Sequence, residues 1–253
     1  TLDGLTGTLS YTGIVDVDAP VNLTACALED RLALLCCTHQ TDGKAYAMTL
    51  RFSDTAVAVG PETELEPDFD QDEYIQAWSV AALSDELAMV GYFKEYDIPL
   101  QYLVLTVNGD TVTQKYAGEY LTQGSLPCVA TAAVSENCCG IAGAVTRLPE
   151  NGETEAFLTF EGWSVLSNER PQPLWWGLED HSAGGSISQV SLDMAGACAV
   201  LCCVMNGTVY AAVVEIAEHC PKSGATIPLD TSVGYARLHA LNENFVIGAV
   251  ERE

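Results

Sequence analysis

The chain has 253 residues, of which 48% are apolar and 18% charged, so an intrinsically disordered protein is excluded. Its 35 acidic and 10 basic side chains give a formal net charge of -25 at pH 7, which repels phosphate groups and argues against nucleic acid and anionic membranes as partners. The longest apolar run, from Met194 to Met205, has 12 residues and is too short for membrane insertion, which needs about 20.

A pattern of apolar run, short polar turn and second apolar run recurs along the chain. Its copies lie, in chain order, at residues 26–35, 81–92, 133–142, 191–200 and 240–249. The apolar residues before the turns are 55, 51, 60 and 47 residues apart: Leu28, Leu83, Val134, Met194 and Leu241. In the second copy, another hairpin follows over the turn at Asn108, Gly109 and Asp110. A period near fifty residues with four strands per repeat is typical of a β-propeller blade.

We therefore predict an all-β fold, a five-bladed β-propeller of four-stranded antiparallel blades, with residues 1–253 as a single domain. The even spacing favours one ring over two smaller domains. The last copy ends after two strands, whereas residues 5–18 have the pattern of a third and a fourth strand. We expect the two ends to share one blade and so to close the ring without an open sheet edge. The predicted blades cover approximately residues 21–60, 76–118, 127–167, 186–229, and 233–253 together with 5–18.

The connections between the predicted strands fall into two sets. Tight turns join the first strand to the second and the third to the fourth, as at Ser84-Asp85 and Glu161-Gly162. The long connections, such as residues 61–74 and 167–185, lie at the other ends of the strands. One face of the ring is therefore predicted to be uniform and the other variable, and variable loops on a rigid frame are where ligands usually bind.

The ten cysteines include three adjacent pairs inside apolar strands: Cys36-Cys37, Cys138-Cys139 and Cys202-Cys203. Adjacent residues of a strand point to opposite faces, so such a pair does not form an unstrained disulfide. We interpret cysteine here as a small core residue, which favours a reducing compartment or an anaerobic habitat. A metal site is the weaker alternative, since paired two-residue cysteine spacers are absent from the sequence.

Two connections contain candidate binding residues. Alternating carboxylates between the first two blades, at Asp68, Asp70, Asp72 and Glu73, resemble those of calcium loops, although the usual glycine is missing. Calcium is the one cofactor considered, and the alternative is a solvated acidic connection. In the longest connection, Trp175 and Trp176 stand near Asp180 and His181. Indole rings stack on sugars, so these four residues are predicted to bind glycan, the alternative being indoles packed between blades.

Catalytic residues are not assigned. The sequence contains neither a nucleophile elbow nor a glycine-rich phosphate loop. Its four histidines are scattered without the spacing of metal ligands: His39, His181, His219 and His239. A glycosidase-type propeller remains an alternative, because it needs two carboxylates that converge at the centre of the ring, and a sequence does not show convergence.

The repeat, best represented by residues 83–92 and 103–112, resembles the β-propeller repeats of bacteriophage tail and head-fibre proteins. The resemblance implies a non-enzymatic display or receptor-binding domain of a phage structural protein. Such a domain would be made in the bacterial cytoplasm and lie on the virion surface. Its partners would be other virion proteins and a host cell-surface glycan or protein receptor. The alternative is a free-standing, cell-associated bacterial propeller with a lectin-like or scaffolding role.

Overall fold

The computed structural model describes the following residues: 20–65, 75–94, 100–120, 128–147, 155–176, 180–182, 187–217, 220–223, 227–231, 233–242 and 245–252. They form five antiparallel sheets, numbered here in chain order, and contain no helix. A helix able to cross a membrane is accordingly absent from this part of the chain. The predicted all-β class is confirmed.

The first sheet has a fourth strand in two pieces. Its strands are β1 (Pro20–Glu29), β2 (Leu32–His39), β3 (Ala45–Phe52), β4 (Val57–Val59) and β5 (Thr63–Leu65). Both β4 and β5 pair with β3, β4 near its end and β5 near its start, so the two pieces together form one outer strand. The long connection predicted at residues 61–74 thus begins with a strand.

The second sheet is an uninterrupted four-stranded meander. Its strands are β6 (Ile75–Ala82), β7 (Leu87–Lys94), β8 (Leu100–Asn108) and β9 (Thr111–Tyr120). The predicted turn after Asn108 is confirmed: Gly109 has a φ of 63°, a conformation that glycine adopts without strain.

The remaining sheets repeat these arrangements. The third contains β10 (Val129–Ser135), β11 (Cys138–Arg147), β12 (Glu155–Ser164), β13 (Gln172–Trp176) and β14 (Asp180–Ser182). The fourth contains β15 (Ile187–Ala195), β16 (Cys198–Met205), β17 (Thr208–Ala217), β18 (Cys220–Ser223) and β19 (Ile227–Thr231). The fifth has two described strands, β20 (Val233–Asn242) and β21 (Phe245–Arg252).

The third sheet corrects two predictions. The turn predicted at Glu161-Gly162 is wrong, because β12 continues through both residues to Ser164. The stretch predicted as a long connection, 167–185, contains β13 and β14, which both pair with β12 as the outer strand. Prolines at 171 and 173 favoured a loop in the sequence, but the outer strand of a sheet tolerates proline because one of its edges needs no ladder hydrogen bonds.

The sheets pack in chain order through their first strands. β1 lies beside β6, β6 beside β10, β10 beside β15, and β15 beside β20. Apolar side chains fill each space between neighbouring sheets. Leu34 and Leu103 meet between the first and second sheets, and Met89 and Trp163 between the second and third. The arrangement is β-propeller-like. Residues 5–18, predicted to share the last blade, lie outside the described residues.

The cysteines behave as the sequence predicted. The nine cysteines whose side chains are described are free thiols, and six of them are buried. Burial raises the pKa of Cys26 and Cys128 to about 12 and that of Cys37 and Cys202 to about 11. Such thiols stay protonated at neutral pH and are poor nucleophiles, so they serve as core side chains.

One carboxyl is buried between the second and third sheets. Glu161 is 7% exposed, and its Oε2 has no hydrogen-bond partner among the described residues. Desolvation raises the pKa of this carboxyl to about 7, and the nearby indole N–H of Trp163 offsets part of the rise. Glu161 is therefore a residue whose ionisation opposes folding.

Replacing Glu161 with Gln should remove that opposition. The folded-state pKa is about 7 and the ordinary value is 4.5, so the wild-type chain loses stability as the pH rises across this interval and loses no more above it. Near pH 4.5 we expect E161Q to have the same free energy of unfolding as the wild type. Above about pH 7 we expect its free energy of unfolding to be about 2–3 kcal/mol higher than that of the wild type. Urea unfolding at both pH values measures this. E119Q, at an exposed position of β9, is the control, and an advantage of E161Q that does not change with pH would contradict the assignment.

Candidate functional site in the central cavity

A cavity of about 580 Å³ lies where the five first strands converge. Each of these strands contributes to its wall, with residues 24–27, 78–82, 129–133, 190–193 and 237–239. Its size falls in the range of about 300–1,000 Å³ that small-molecule sites occupy. It is therefore the candidate functional site.

The first strands have a structural problem that their side chains solve. Each pairs with a second strand on one edge only, which leaves backbone groups on the other edge without a ladder. Hydroxyl groups of the adjacent first strand occupy these positions. Thr24 Oγ1 accepts from the Val80 backbone N–H at 3.3 Å, and Ser79 Oγ accepts from the Thr131 N–H at 3.0 Å. The sheets are thus linked by hydrogen bonds around the cavity.

The contact between β15 and β20 is the most regular of these links. Alternate side chains of β15 accept from alternate backbone N–H groups of β20: Gln189 Oε1 from Ala236 at 2.9 Å, Ser191 Oγ from Leu238 at 3.2 Å, and Asp193 Oδ2 from Ala240 at 2.9 Å. Both sets advance by two residues in the same direction, so the two strands run parallel. Polar side chains replace the backbone ladder that parallel strands would otherwise form.

Asp193 also holds a histidine at the cavity wall. The Nδ1 atom of His239 lies 2.6 Å from Asp193 Oδ2, and the Met194 backbone N–H donates to Oδ1 at 2.8 Å. A carboxylate at Nδ1 fixes the imidazole with its hydrogen on that nitrogen. In the neutral imidazole this leaves the lone pair on Nε2, and no described residue makes a hydrogen bond to that atom. His239 is mostly exposed, so Nε2 is accessible from the cavity.

Arg237 is the cationic residue of the cavity wall. It alternates along β20 with Ala236 and Leu238, which pack between the fourth and fifth sheets, so Arg237 and His239 share the opposite face of the strand. Arg237 is exposed and makes neither an ion pair nor a side-chain hydrogen bond with the described part of the chain. By contrast, Arg31 and Lys44 are ion-paired with Asp54 and Glu64.

The predicted glycan residues lie elsewhere. Trp175 and Trp176 belong to β13, opposite Gly162 and Glu161, and not to a loop as predicted. Asp180 and His181 belong to β14, opposite Leu158 and Phe157. All four are therefore on the outer strand of the third sheet, remote in topology from the first strands. Whether they bind glycan stays a prediction.

The predicted calcium residues, Asp68, Asp70, Asp72 and Glu73, lie outside the described residues. Within the described part, no three His, Cys, Asp or Glu side chains come close enough to hold a metal ion.

Sequence reasoning missed the residues of the cavity wall. Thr24, Ser79, Thr131 and Ser191 each lie between two apolar neighbours in a first strand, and this was the available signal. Asp193 and His239 are 46 residues apart, a separation close to one repeat, and that spacing also placed them on neighbouring first strands.

Comparisons with known proteins show similarity of fold alone. Neither a protein-family model nor a curated protein matches the sequence. A crystal structure of a protein from Lactobacillus plantarum, a structural genomics target, aligns with a TM-score of 0.52 and 11% identity over 98% of this chain and 70% of that one. A chain from a structural and mechanistic study of two prolyl endopeptidases aligns with a TM-score of 0.45 and 10% identity, over 90% of this chain and 30% of that one. Neither description mentions a phage protein.

Replacing Ser191 with Ala should weaken the link between β15 and β20. Its hydroxyl accepts from the Leu238 N–H and donates to the Leu238 carbonyl, so the variant leaves both backbone groups without this partner. We expect the free energy of unfolding to fall by about 1–2 kcal/mol. Chemical denaturation measures the change. S167A, at an exposed position after β12, should stay within about 0.5 kcal/mol of wild type, and equal effects of the two variants would contradict the role given to Ser191.

Proposed function

We propose that this chain is a non-enzymatic binding domain, built as a closed five-bladed propeller, that takes a glycan in its central cavity. The observation that carries the proposal is the wall itself. His239, which Asp193 orients, and Arg237, which has no partner in the described part of the chain, line one cavity of about 580 Å³ with an accessible imidazole nitrogen and a set of N–H donors. Sugar hydroxyl groups are both donors and acceptors, and a site of this size suits one or two rings.

The closed ring is supported by a matched pair of residues in the first and fourth sheets. Thr63 lies opposite Ala47, on the face that the second sheet covers, and its hydroxyl donates to the Val112 carbonyl of that sheet at 3.0 Å. Ile227 has the corresponding place opposite Ala211, on the face toward the fifth sheet, and is 54% exposed. This difference in exposure is expected if the fifth sheet covers the fourth with only its first two strands, β20 and β21, because the outer part of the fourth sheet then has no neighbour.

Other apolar side chains fit the same interpretation. Val213 follows Val209 and Ala211 on one face of β17 and is 50% exposed, whereas Val209 is covered by β20. On the first sheet, Leu23 of β1 is also exposed. A third and a fourth strand of the fifth blade would cover this region, and we assign them to residues 5–18. These terminal strands would join the last blade to the first.

Substituting the uncovered apolar residues tests this closure. If residues 5–18 cover them, V213D and I227D should each lower the free energy of unfolding of the full chain by more than about 2 kcal/mol, because a charge would be buried. If the positions face water, each change should stay within about 0.5 kcal/mol. L174D, at an exposed position of β13, controls for the added negative charge. Small effects at both positions would exclude closure by the terminal strands.

Binding is favoured over catalysis by the composition of the wall. Asp193 is the one carboxylate among its described residues, and a glycosidase needs two. The cavity hydroxyls of Ser79 and Ser191 are engaged with backbone groups. The Cys26 thiol has a pKa raised to about 12 by burial and is not a ready nucleophile.

The biological setting of the proposal rests on the repeat pattern of residues 83–92 and 103–112. On that resemblance we place the domain on a phage virion, with a host cell-surface glycan as its ligand and other virion proteins as its neighbours. A free-standing, cell-associated bacterial lectin is the alternative setting, and it uses the same cavity.

A glycan array followed by calorimetry tests the proposed function. We expect the wild-type chain to bind a subset of glycans, and H239A to weaken binding about tenfold or more by removing one charge-supported hydrogen bond. W175A and W176A should bind as wild type does. Loss of binding in the tryptophan variants alone would transfer the site to the outer strand of the third sheet, and the absence of any bound glycan would overturn the proposal. Release of a shortened sugar would identify a hydrolase.

A further inference from the structure

We infer that the ligand of the central cavity carries a carboxylate, and hence that the glycan is an acidic one. This inference rests on the proposed function of the cavity and specifies its substrate class. The structural basis is Arg237, which lines the cavity and whose guanidinium has no protein partner in the described part of the chain.

The charge balance of the chain supplies many possible carboxylate partners for an arginine. There are 35 acidic side chains for 10 basic ones, so carboxylates are abundant. Of the cations whose side chains are described, Arg31, Lys44 and Arg51 are ion-paired, whereas Lys115, Arg170 and Arg237 make no ion pair with the described part of the chain. The Arg51 guanidinium donates to Asp110 Oδ1 through Nε at 3.0 Å and through an Nη at 2.9 Å. Arg237 lacks such a carboxylate, although Asp193 belongs to the same wall. Asp193 is already occupied by His239 and two backbone N–H groups.

The free guanidinium is suited to a carboxylate more than to a neutral sugar. It presents five N–H donors in a planar fork, which matches the two oxygens of a carboxylate, and it has no acceptor for the hydroxyl hydrogens of a sugar. In a chain whose overall field repels anions, a local cation favours the binding of an anionic ligand. Arg237 is the residue of the wall that supplies one.

His239 and Arg237 together define how such a ligand would lie. They are two positions apart on one face of β20, about 7 Å along the strand at 3.3–3.4 Å per residue. A sugar acid has its carboxylate on one side of the ring and hydroxyl groups on the other. The carboxylate would pair with Arg237, and a hydroxyl would donate to His239 Nε2, whose lone pair is exposed by the Asp193 contact.

Calorimetry with matched pairs of ligands tests the inference. Glucuronate-terminated and sialate-terminated oligosaccharides are compared with the corresponding neutral oligosaccharides, the carboxylate being reduced to an alcohol. We expect the wild type to bind at least one acid about tenfold or more tightly than its neutral partner, and added salt to weaken only the acid. R237Q should lose this preference and bind the neutral ligand as before. R237K should retain part of it, because it keeps the charge without the planar fork.

R31Q, at an exposed arginine of the first sheet remote from the cavity, is the matched control and should bind as wild type does. Arg237 is exposed, so R237Q is expected to fold, and circular dichroism with a thermal transition verifies this. Equal affinity for acid and neutral ligands, or an R237Q variant that keeps the preference, would overturn the inference and leave the proposed function standing. Failure of the wild type to bind either class of ligand would overturn the proposed function itself.

Discussion

The inner sheets of this protein bury apolar side chains on both faces, and the whole architecture depends on that constraint. In the second sheet, Val90 and Leu103 pack against the first sheet while Met89 and Val104 pack toward the third, and all four are fully buried. A sheet with two apolar faces needs a neighbour on each side. Successive sheets of this kind must either continue as a stack with two exposed ends or turn back into a ring.

Packing about a common axis brings the first strands together with unsatisfied edges. Every first strand has backbone groups on the edge that faces its neighbour, and the sheet-to-sheet geometry does not let two first strands form a continuous ladder. Short polar side chains such as Thr24, Ser79 and Ser191 are long enough to reach these groups and small enough to fit at the centre. The requirement for polar residues at the centre follows from backbone chemistry, and it also gives the cavity a polar wall.

The wall combines structural and chemical roles in the same residues. Asp193 supports the backbone of β20 through Ala240 and at the same time orients His239. A side chain that a contact of the fold already fixes loses little further conformational entropy when a ligand binds. This is the advantage of a preorganised site. Arg237 differs, since it contributes nothing to the contacts between sheets. Its guanidinium makes neither an ion pair nor a side-chain hydrogen bond with the described part of the chain.

The sequence alone determined the strand class, the repeat and the role of cysteine, because hydrophobic periodicity and turn chemistry are local properties. Apolar runs around Ser84-Asp85 and Asn108-Gly109 are enough to predict hairpins, and both hairpins occur where predicted. The local pattern gave a wrong prediction at β13 and β14, which were predicted as a loop. Both are pieces of an outer strand, and an outer strand tolerates prolines that an inner strand excludes. The candidate site was decided only by the tertiary structure. Asp193 belongs to the fourth repeat, and Arg237 and His239 belong to the fifth, so their convergence depends on how two sheets pack against each other and not on the local pattern of either strand.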